Sequence, residues 1–462
     1  MKQTAEQVIN QLEERLTAMR AKNELACGAL CDTVNLTDYT PREGCIWTEA
    51  LEKALREHSV VRIPVSPAPY LIDRTVLIPS DRHIIADPEA VIRLAPGTEV
   101  LLLRNEHTVD GTHLPIRNME RDRNITIEGG IWEDCSDRRR GYGKSGRYGA
   151  EYRNGSPFFG VSTLMLFENL DRLTLRNMTF RNCGAFAVQL GEISNVVAED
   201  IRFESCFADG LHFNGNTENV HVRRISGQVG DDLVAVNAYD WQNSSINFGP
   251  VRNLLCEDLF LSPDSRYHAL RIEPGIYTFD DGSQVDCSLT DAVFRRIENI
   301  RTFKLYCQTP KFFPGEEPER GDVGSGDRIV FDRIHVDLNA PIDLLDGYVT
   351  NDPVRGSFAA FELGLNVGQL WLRNINLDLY RDRYPYSYLL CIGPKSARKP
   401  DGREVFDPSF SSIADKVTFE NIRVNGEKVT DVRPYLREIV FDRLWDDMPS
   451  TASGKILHIE QI

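Results

Sequence analysis

Three aspartates near the middle of the chain have the residue type and spacing for acid–base chemistry. Asp209 is followed by Gly210, and the pair Asp231-Asp232 follows one repeat later. A carboxylic acid can protonate a leaving oxygen, and an ionised carboxylate can activate water. When carboxylates are crowded, their repulsion separates their proton affinities, which divides the acid from the base. This chemistry requires structural elements that bring the three side chains together.

A repeat of short apolar segments supplies such elements. The segments Asp209–Asn214, Asp232–Asn237 and His268–Glu273 align without gaps. Each follows a shorter apolar run, and these runs begin at Asn195, Asn219 and Asn253. Such a repeat is typical of a solenoid, in which each coil buries its apolar face against the next. Equivalent positions of β-paired coils lie about 4.8 Å apart.

Stacking the segments predicts three columns of side chains. The columns are Phe186, Asp209, Asp232 and His268; Gln189, His212, Ala235 and Arg271; and Gly191, Asn214, Asn237 and Glu273. Asp231 stands beside the first column. His268 is either a fourth catalytic residue or a packed histidine. His212 faces either the core or a cleft.

Asparagines and aromatic residues near these columns are candidate substrate contacts. Asn214 and Asn237 either form an asparagine ladder inside the turns of adjacent coils or bind sugar. Tyr239, Trp241 and Tyr277 follow the strands that carry the aspartates and His268. Their rings suit the apolar C–H faces of sugars, and they suit the protein core equally well.

The composition is that of a soluble protein and excludes several classes of partner. The chain has 462 residues, 26% charged and 41% hydrophobic, with a net charge of −16. An acidic chain is a poor match for a nucleic-acid backbone, and no apolar run is long enough to span a membrane. The polar start lacks the apolar core of a signal peptide, and the scattered cysteines fit reduced thiols, so a cytoplasmic location is expected. A zinc site is not expected, because Cys27 and Cys31 have no matching second pair, and no cofactor or other metal is predicted.

Two helical stretches precede the strands. Residues 5–22 and Trp47–Glu57 have helical patterning. A helix over the exposed sheet end of a β-helix would block edge pairing. Residues 1–58 are therefore interpreted as an N-terminal helical cap, and residues 59–462 as a parallel β-helix with cleft-forming loops. The Arg- and Gly-rich stretch 138–159 is interpreted as a solvated loop or as a flap over the cleft.

The solenoid, the Asp209-Gly210 pair and Gly230-Asp231-Asp232 resemble family 28 glycoside hydrolases, the polygalacturonase-like group of the pectin-lyase-like superfamily. The resemblance implies an all-β fold, a single-stranded right-handed parallel β-helix (β-solenoid), and inverting hydrolysis. It also implies that Asp231 is the general acid, while Asp209 and Asp232 hold and activate water. In architecture it covers roughly residues 60–430, and in specific motifs about 203–275.

The chain departs from this family at positions that bear on the substrate. Phe207-Ala208 stands where Asn-Thr is usual, and no Gly-His-Gly follows Asp232, so His268 is the nearest substitute for the family histidine. Arg271-Ile272-Glu273 replaces an Arg-Ile-Lys whose basic groups bind a uronate carboxylate. A glutamate there repels a uronate by about 1 kcal/mol or more in a partly screened cleft. We therefore expect Arg271 and Glu273 to contact a neutral sugar, not polygalacturonate.

The sequence is compatible with three functions. The leading one is hydrolysis of oligosaccharides, with an exo mode expected for a cytoplasmic enzyme that meets short fragments. A polysaccharide lyase on the same solenoid is the second, although it would want calcium-binding acidic clusters and a basic group near a uronate. A non-catalytic carbohydrate-binding β-helix is the third, and it predicts that the three aspartates tolerate replacement. The expected partner is an oligosaccharide, with neither nucleic acid nor membrane, and homo-oligomerisation is left open.

Overall fold

The chain folds into two compact units built mainly of short parallel strands. The N-terminal unit comprises Glu13–Val234 and Gln242–Asn247, and the C-terminal unit comprises Met1–Leu12, Ala235–Trp241 and Phe248–Ile462. The computed structural model describes residues 3–98, 100–108, 120–134, 163–240, 245–278, 281–306, 321–339, 358–393, 397–398, 404–405, 411–438, 440–441 and 452–462.

Two α-helices lie in the first part of the chain. Helix α1 spans Ala5–Gly28, and helix α2 spans Thr48–Glu57. Short 3-10 turns lie at Leu36–Asp38 and Arg433–Tyr435. Among the described residues, no helix combines the length and the apolar character needed to cross a membrane.

The strands are numbered in chain order. Strands β1 to β14 are Thr33–Asn35, Val60–Ile63, Tyr70–Ile72, Val76–Ile78, Arg82–Ala86, Val91–Leu94, Leu103–Asn105, Asp122–Glu128, Ile131–Glu133, Thr163–Arg176, Thr179–Arg181, Phe186–Glu204, Leu211–Asn214 and Thr217–Gly227. Strands β15 to β34 are Val234–Asn237, Val251–Leu261, Ala269–Ile272, Gly275–Thr278, Gln284–Cys287, Leu289–Glu298, Thr302–Tyr306, Gly321–Val323, Ser325–Asp337, Phe358–Gly364, Asn366–Asp378, Ser387–Ile392, Ala397–Arg398, Glu404–Val405, Ser412–Glu420, Arg423–Val424, Glu427–Lys428, Leu436–Glu438, Val440–Phe441 and Ala452–Gln461.

Parallel pairing between successive coils defines the fold class. In the N-terminal unit β10 pairs with β12 from Thr163↔Phe186 to Arg176↔Glu199. In the C-terminal unit β23 pairs with β25 in the same way. The predicted all-β, right-handed parallel β-helix is confirmed. Strands β18, β19 and β22 depart from it, because they form a small antiparallel sheet outside the coils.

The observed register agrees with the predicted columns. In the N-terminal unit Gln189 pairs with His212. In the C-terminal unit Val236 pairs with Ile272, which is the register that aligns Asn237 with Glu273. Inward-facing residues stack in the same manner, as Phe180 and Phe203 show with ring centroids 5.5 Å apart.

Asparagines bend the chain within the long strands β12 and β14. Asn195 and Asn219 have φ angles of 61° and 56°, a left-handed conformation that asparagine tolerates better than most residues. The amide of Asn219 donates to Oδ1 of Asn195 at 3.1 Å. This asparagine contact lies where the apolar runs begin, whereas a ladder at Asn214 and Asn237 was one of two alternatives considered from the sequence.

A column of alternating charge runs along the outside of the N-terminal coils. Register brings together Glu128, Arg176, Glu199 and Arg223. Helix α1 lies against this column, with Arg20 2.9 Å from Glu199 and Glu24 2.7 Å from Arg176. The helix thus lies along the side of the coils, not over their end as predicted. Its charges complement those of the column, and this complementarity explains the position.

Candidate functional site

The three predicted aspartates do come together in the N-terminal unit. Their nearest carboxylate oxygens all lie within 4.8 Å of one another. Asp232 is 0% exposed and Asp209 is 3% exposed, whereas Asp231 is partly exposed. The cluster therefore has one carboxyl group at the surface and two beneath it.

A close approach of two turns brings the aspartates together. A Cβ added at Gly230 would overlap the carbonyl group of Phe207, so only glycine allows the turn before Asp231 to lie so near the turn before Asp209. The backbone N–H of Gly210 donates to the carbonyl oxygen of Asp232 at 2.9 Å. The cluster is thus set by backbone contacts as well as by the side chains.

His212 is the direct partner of Asp209. Its Nδ1 lies 2.6 Å from Asp209 Oδ2, and its ring stacks on Phe186 with centroids 4.2 Å apart and planes at 14°. The other carboxylate oxygen, Oδ1, accepts the backbone N–H of Asp232 at 3.0 Å. The sequence left His212 open between core and cleft, and the structure places it in the buried layer directly behind Asp209.

Two amide side chains continue from His212. Asn214 Nδ2 lies 3.3 Å from His212 Nε2, and Gln189 Nε2 donates to Asn214 Oδ1 at 2.8 Å. The backbone N–H of Ile246 donates to the same oxygen at 3.3 Å. Protein groups thus contact both the amide nitrogen and the amide oxygen of Asn214. Asn214 is therefore not available to bind sugar, which was one of the two roles considered in the sequence analysis.

This arrangement can hold and divide protons. Three carboxylates so close cannot all be ionised without strong repulsion, so the group favours retention of a proton. Two oxygens about 4.8 Å apart can also share one water, because each hydrogen bond to it spans about 2.8 Å. Hard cations accept the same set of oxygens, and the expectation of a metal-free site remains a prediction.

His268 lies in the C-terminal unit and makes contacts of its own there. Its Nδ1 lies 2.9 Å from the carbonyl oxygen of Asn299, and the residue is buried. Burial lowers the pKa of His268 below its ordinary value, although the carbonyl of Asn299 acts in the opposite direction. These contacts are those of a hydrogen-bonded histidine that ties one coil to the next, and a catalytic role for His268 stays a prediction.

Arg271 and Glu273 form the ion pair that their spacing suggests. Arg271 Nε lies 3.9 Å from Glu273 Oε1, and Glu273 is fully buried. The Arg271 guanidinium also donates to the hydroxyl of Tyr267 at 3.2 Å, and Lys304 Nζ lies 4.9 Å from the centroid of that ring. Sequence reasoning missed Tyr267 and Lys304. Lys304 is in register with Arg271 but on the following coil, beyond the aligned segments.

The predicted aromatic platforms differ in their accessibility. Tyr239 is 0% exposed and packs against Phe248, with ring centroids 5.6 Å apart, so it belongs to the core and cannot present a face to a sugar. Tyr277 stacks on Phe248 at 3.9 Å and remains partly exposed. Asn237 is buried in β15. Trp241 and the predicted flap at 138–159 lie outside the described residues.

Comparisons with known proteins complete this description. No protein-family model matches the chain, and no curated protein matches its sequence. Among similar solved structures, a hyperthermoactive exopolygalacturonase from Thermotoga maritima is 12% identical, with a TM-score of 0.49 over 89% of this chain and 97% of that one. A polygalacturonase from Erwinia carotovora is 11% identical, with a TM-score of 0.42 over 88% and 96%. PfbA, a surface adhesin of Streptococcus pneumoniae, is 10% identical, with a TM-score of 0.38 over 93% and 92%.

These neighbours comprise both hydrolases and an adhesin. Likeness at this level does not transfer an activity or a residue role to this chain. The fold assignment rests on the parallel register of the chain itself, and any function must be argued from the aspartate cluster.

Proposed function

We propose that the protein is a glycoside hydrolase that acts on oligosaccharides, with Asp209 as general base and Asp231 as general acid. One observation supports this assignment above the others. Three carboxylates lie within 4.8 Å of one another, yet both oxygens of Asp209 are engaged by protein nitrogens, while Asp231 alone is partly exposed. Glycoside hydrolysis needs such a division between an ionised carboxylate and a protonated one.

The surroundings of each aspartate support its proposed role. The ring of His212 and the backbone N–H of Asp232 each contact one oxygen of Asp209 and orient its carboxylate, which suits Asp209 as the base that activates water. A proton retained by the cluster is most useful on Asp231, because the glycosidic oxygen can approach only an accessible group. Asp232 contributes a third carboxylate that is sequestered from solvent, and its negative charge favours retention of that proton.

The stereochemical course is a separate part of the proposal. Inverting enzymes usually hold their two carboxyl groups about 6.5–9.5 Å apart, and retaining enzymes about 5–5.5 Å. The resemblance implies inversion, while the nearest oxygens here are closer than the inverting range. Proton NMR of the first-formed product decides the point, since the anomer released before mutarotation reveals inversion or retention.

We propose an exo mode because the coils that precede His212 are covered by other parts of the chain. Gln189 and Leu166 are in register with His212, and both are 0% exposed. Leu101 and Ile246 form an apolar cluster with Leu166. A glycan chain cannot continue along coils that are sealed in this way, which favours recognition of a chain end.

A single glycine allows this covering to form. A Cβ added at Gly191 would overlap the side chains of both Asn247 and Ile246. The segment Ser245–Asn247 can therefore lie directly on the coil beside Asn214. We propose that this segment limits the number of sugar residues that bind on the N-terminal side of the aspartates.

A substrate panel tests the proposed function. Purified protein is assayed on neutral and acidic oligosaccharides, with the Asp231→Asn variant as the matched control. Reducing ends released only by the wild type support hydrolysis, and resistance to EDTA supports the expected metal independence. Unsaturated products detected by ultraviolet absorbance would indicate a lyase. Binding without turnover that survives Asp231→Asn would indicate a non-catalytic β-helix.

A further inference from the structure

We propose that His212, Asn214 and Gln189 are positioning residues, arranged as a one-way chain of hydrogen bonds that holds the carboxylate of Asp209 in a fixed orientation. This inference rests on the proposed hydrolase function. Its links are His212 to Asp209 at 2.6 Å, Asn214 to His212 at 3.3 Å and Gln189 to Asn214 at 2.8 Å. Every donor in the chain points towards Asp209.

The direction of the chain can be fixed from its inner end. A backbone N–H can only donate, so the atom of Asn214 that faces Ile246 N must be its amide oxygen. The amide nitrogen of Asn214 then faces His212 Nε2 and donates to it. A neutral imidazole that accepts at Nε2 carries its proton at Nδ1. That proton points at Asp209 Oδ2, which completes the chain without an arbitrary choice of tautomer.

The same conclusion follows from the outer end. An ionised Asp209 can only accept, so its partner His212 Nδ1 must be the donor. Oδ1 of the same carboxylate already accepts the backbone N–H of Asp232. The two ends of the chain therefore require one and the same protonation pattern.

Burial makes this chain strong and specific. Gln189 and Asn214 are fully buried, and His212 is 1% exposed. Hydrogen bonds shielded from water are electrostatically stronger, and each one polarises the next. The chain, together with the backbone N–H of Asp232, fixes the orientation of the Asp209 carboxylate.

Packing alone would be a simpler explanation for His212, because its ring stacks on Phe186. Two substitutions separate the two roles. His212→Phe keeps an aromatic ring on Phe186 and removes both nitrogens. His212→Gln loses the ring and keeps an amide that can donate towards Asp209.

The positioning role predicts a specific order of activities. We expect kcat to fall about 100-fold in His212→Phe, with little change in KM, and only about tenfold in His212→Gln. The reverse order, with His212→Phe close to wild type, would overturn the proposal in favour of packing. Circular dichroism of both variants confirms that the comparison is made between folded proteins.

Asn214 should act only through His212. Asn214→Leu removes the donor to His212 Nε2 and is expected to lower kcat about tenfold. In the His212→Phe background the same substitution should cause no further loss, since the acceptor has already gone. Losses that multiply in the double variant would overturn the chain.

Nitrogen-15 NMR of the wild-type imidazole gives a readout that does not depend on turnover. We expect a neutral ring at neutral pH with the proton on Nδ1. A proton on Nε2, or a doubly protonated ring, would overturn the proposal whatever the activity. An Nδ1-protonated ring in a protein that hydrolyses no substrate of the panel would instead refute the hydrolase function and leave the hydrogen-bond assignment standing.

Discussion

Asp209 Oδ1 accepts the backbone N–H of Asp232 at 3.0 Å, so the side chain of the first aspartate is bonded to the turn that carries the other two. This contact couples the orientation of the Asp209 carboxylate to the position of the neighbouring coil. It also links the Asp209-Gly210 motif to the Asp231-Asp232 motif, which lies on the next coil.

Replacing the accessible aspartate should abolish hydrolysis while leaving the fold intact. Asp231→Asn removes the proposed general acid, and losing such a group typically costs about two to four orders of magnitude in rate. The side chain is partly exposed and nearly isosteric with asparagine, so folding should be preserved. The measurement is kcat on the best substrate of the panel, together with thermal unfolding. A variant that keeps more than about a tenth of wild-type turnover would remove Asp231 from this role.

The glycine before Asp231 should be needed for both stability and activity. In Gly230→Ala the new methyl group overlaps the Phe207 carbonyl, so the turn must move. Overpacking of this kind typically costs about 1–3 kcal/mol, and the shift of Asp231 should also lower kcat. The matched control is Gly28→Ala at the end of α1, where an added Cβ meets nothing within 4 Å. Equal denaturation midpoints and activities in the two variants would contradict the proposed close approach.

Helix α1 should stabilise the coils through Arg20 in a pH-dependent way. The cations Arg20 and Arg223 outweigh burial and hold the pKa of Glu199 below its ordinary value. A lowered pKa means that this stabilisation is fully present above the unfolded value of about 4.3 and is lost as the pH falls through the folded value. Arg20→Gln should therefore lower the free energy of unfolding by about 1 kcal/mol at neutral pH and by much less in acid.

A surface pair provides the control for this helix contact. Arg202 lies 2.9 Å from Glu204, and both side chains are well exposed. Arg202→Gln should leave the free energy of unfolding nearly unchanged at either pH, because exposed pairs contribute little. The two variants are compared by chemical denaturation at neutral and acid pH. A loss in Arg20→Gln that does not depend on pH would point to packing in place of charge.

The fold and the aspartate cluster could be predicted from the sequence, because both follow from a repeat. Segments that align without gaps predict register directly, and the observed pairing of Gln189 with His212 agrees with the second predicted column. The position of α1 could not be predicted in this way. It depends on charges from separate coils, such as Glu199 and Arg176, that become one column only after folding.

The roles of individual polar residues were harder to predict than their positions. His212 and His268 both lie in the aligned segments, yet one bonds to an aspartate and the other to the carbonyl of Asn299. The two histidines occupy different columns, and the partner of each depends on groups from neighbouring coils that the repeat does not specify. Lys304 was missed because the loop between its coil and the preceding one hides the repeat.

The last prediction concerns the charge of the substrate. Arg271 is paired with Glu273 at 3.9 Å, and Lys304 is in register with Glu362, so each cation at this position has a carboxylate beside it. A paired cation offers little net potential to a ligand carboxylate, while the carboxylates can accept hydrogen bonds from sugar hydroxyls. We therefore expect neutral oligosaccharides to be cleaved in preference to galacturonan oligomers.

Reversing the charge at one position tests this expectation. Glu273→Lys should not improve the natural reaction, and it should lower stability, because it places an unpaired cation next to Arg271 in a buried site. Glu273→Gln is the matched control, since it removes the charge and keeps the shape and the acceptor oxygen. The measurement is kcat/KM on neutral and acidic oligosaccharides for all three proteins. The prediction is refuted if the wild type cleaves galacturonan oligomers faster than every neutral substrate. Such a result would require a basic group that binds the uronate carboxylate and is not paired with Glu273 or Glu362.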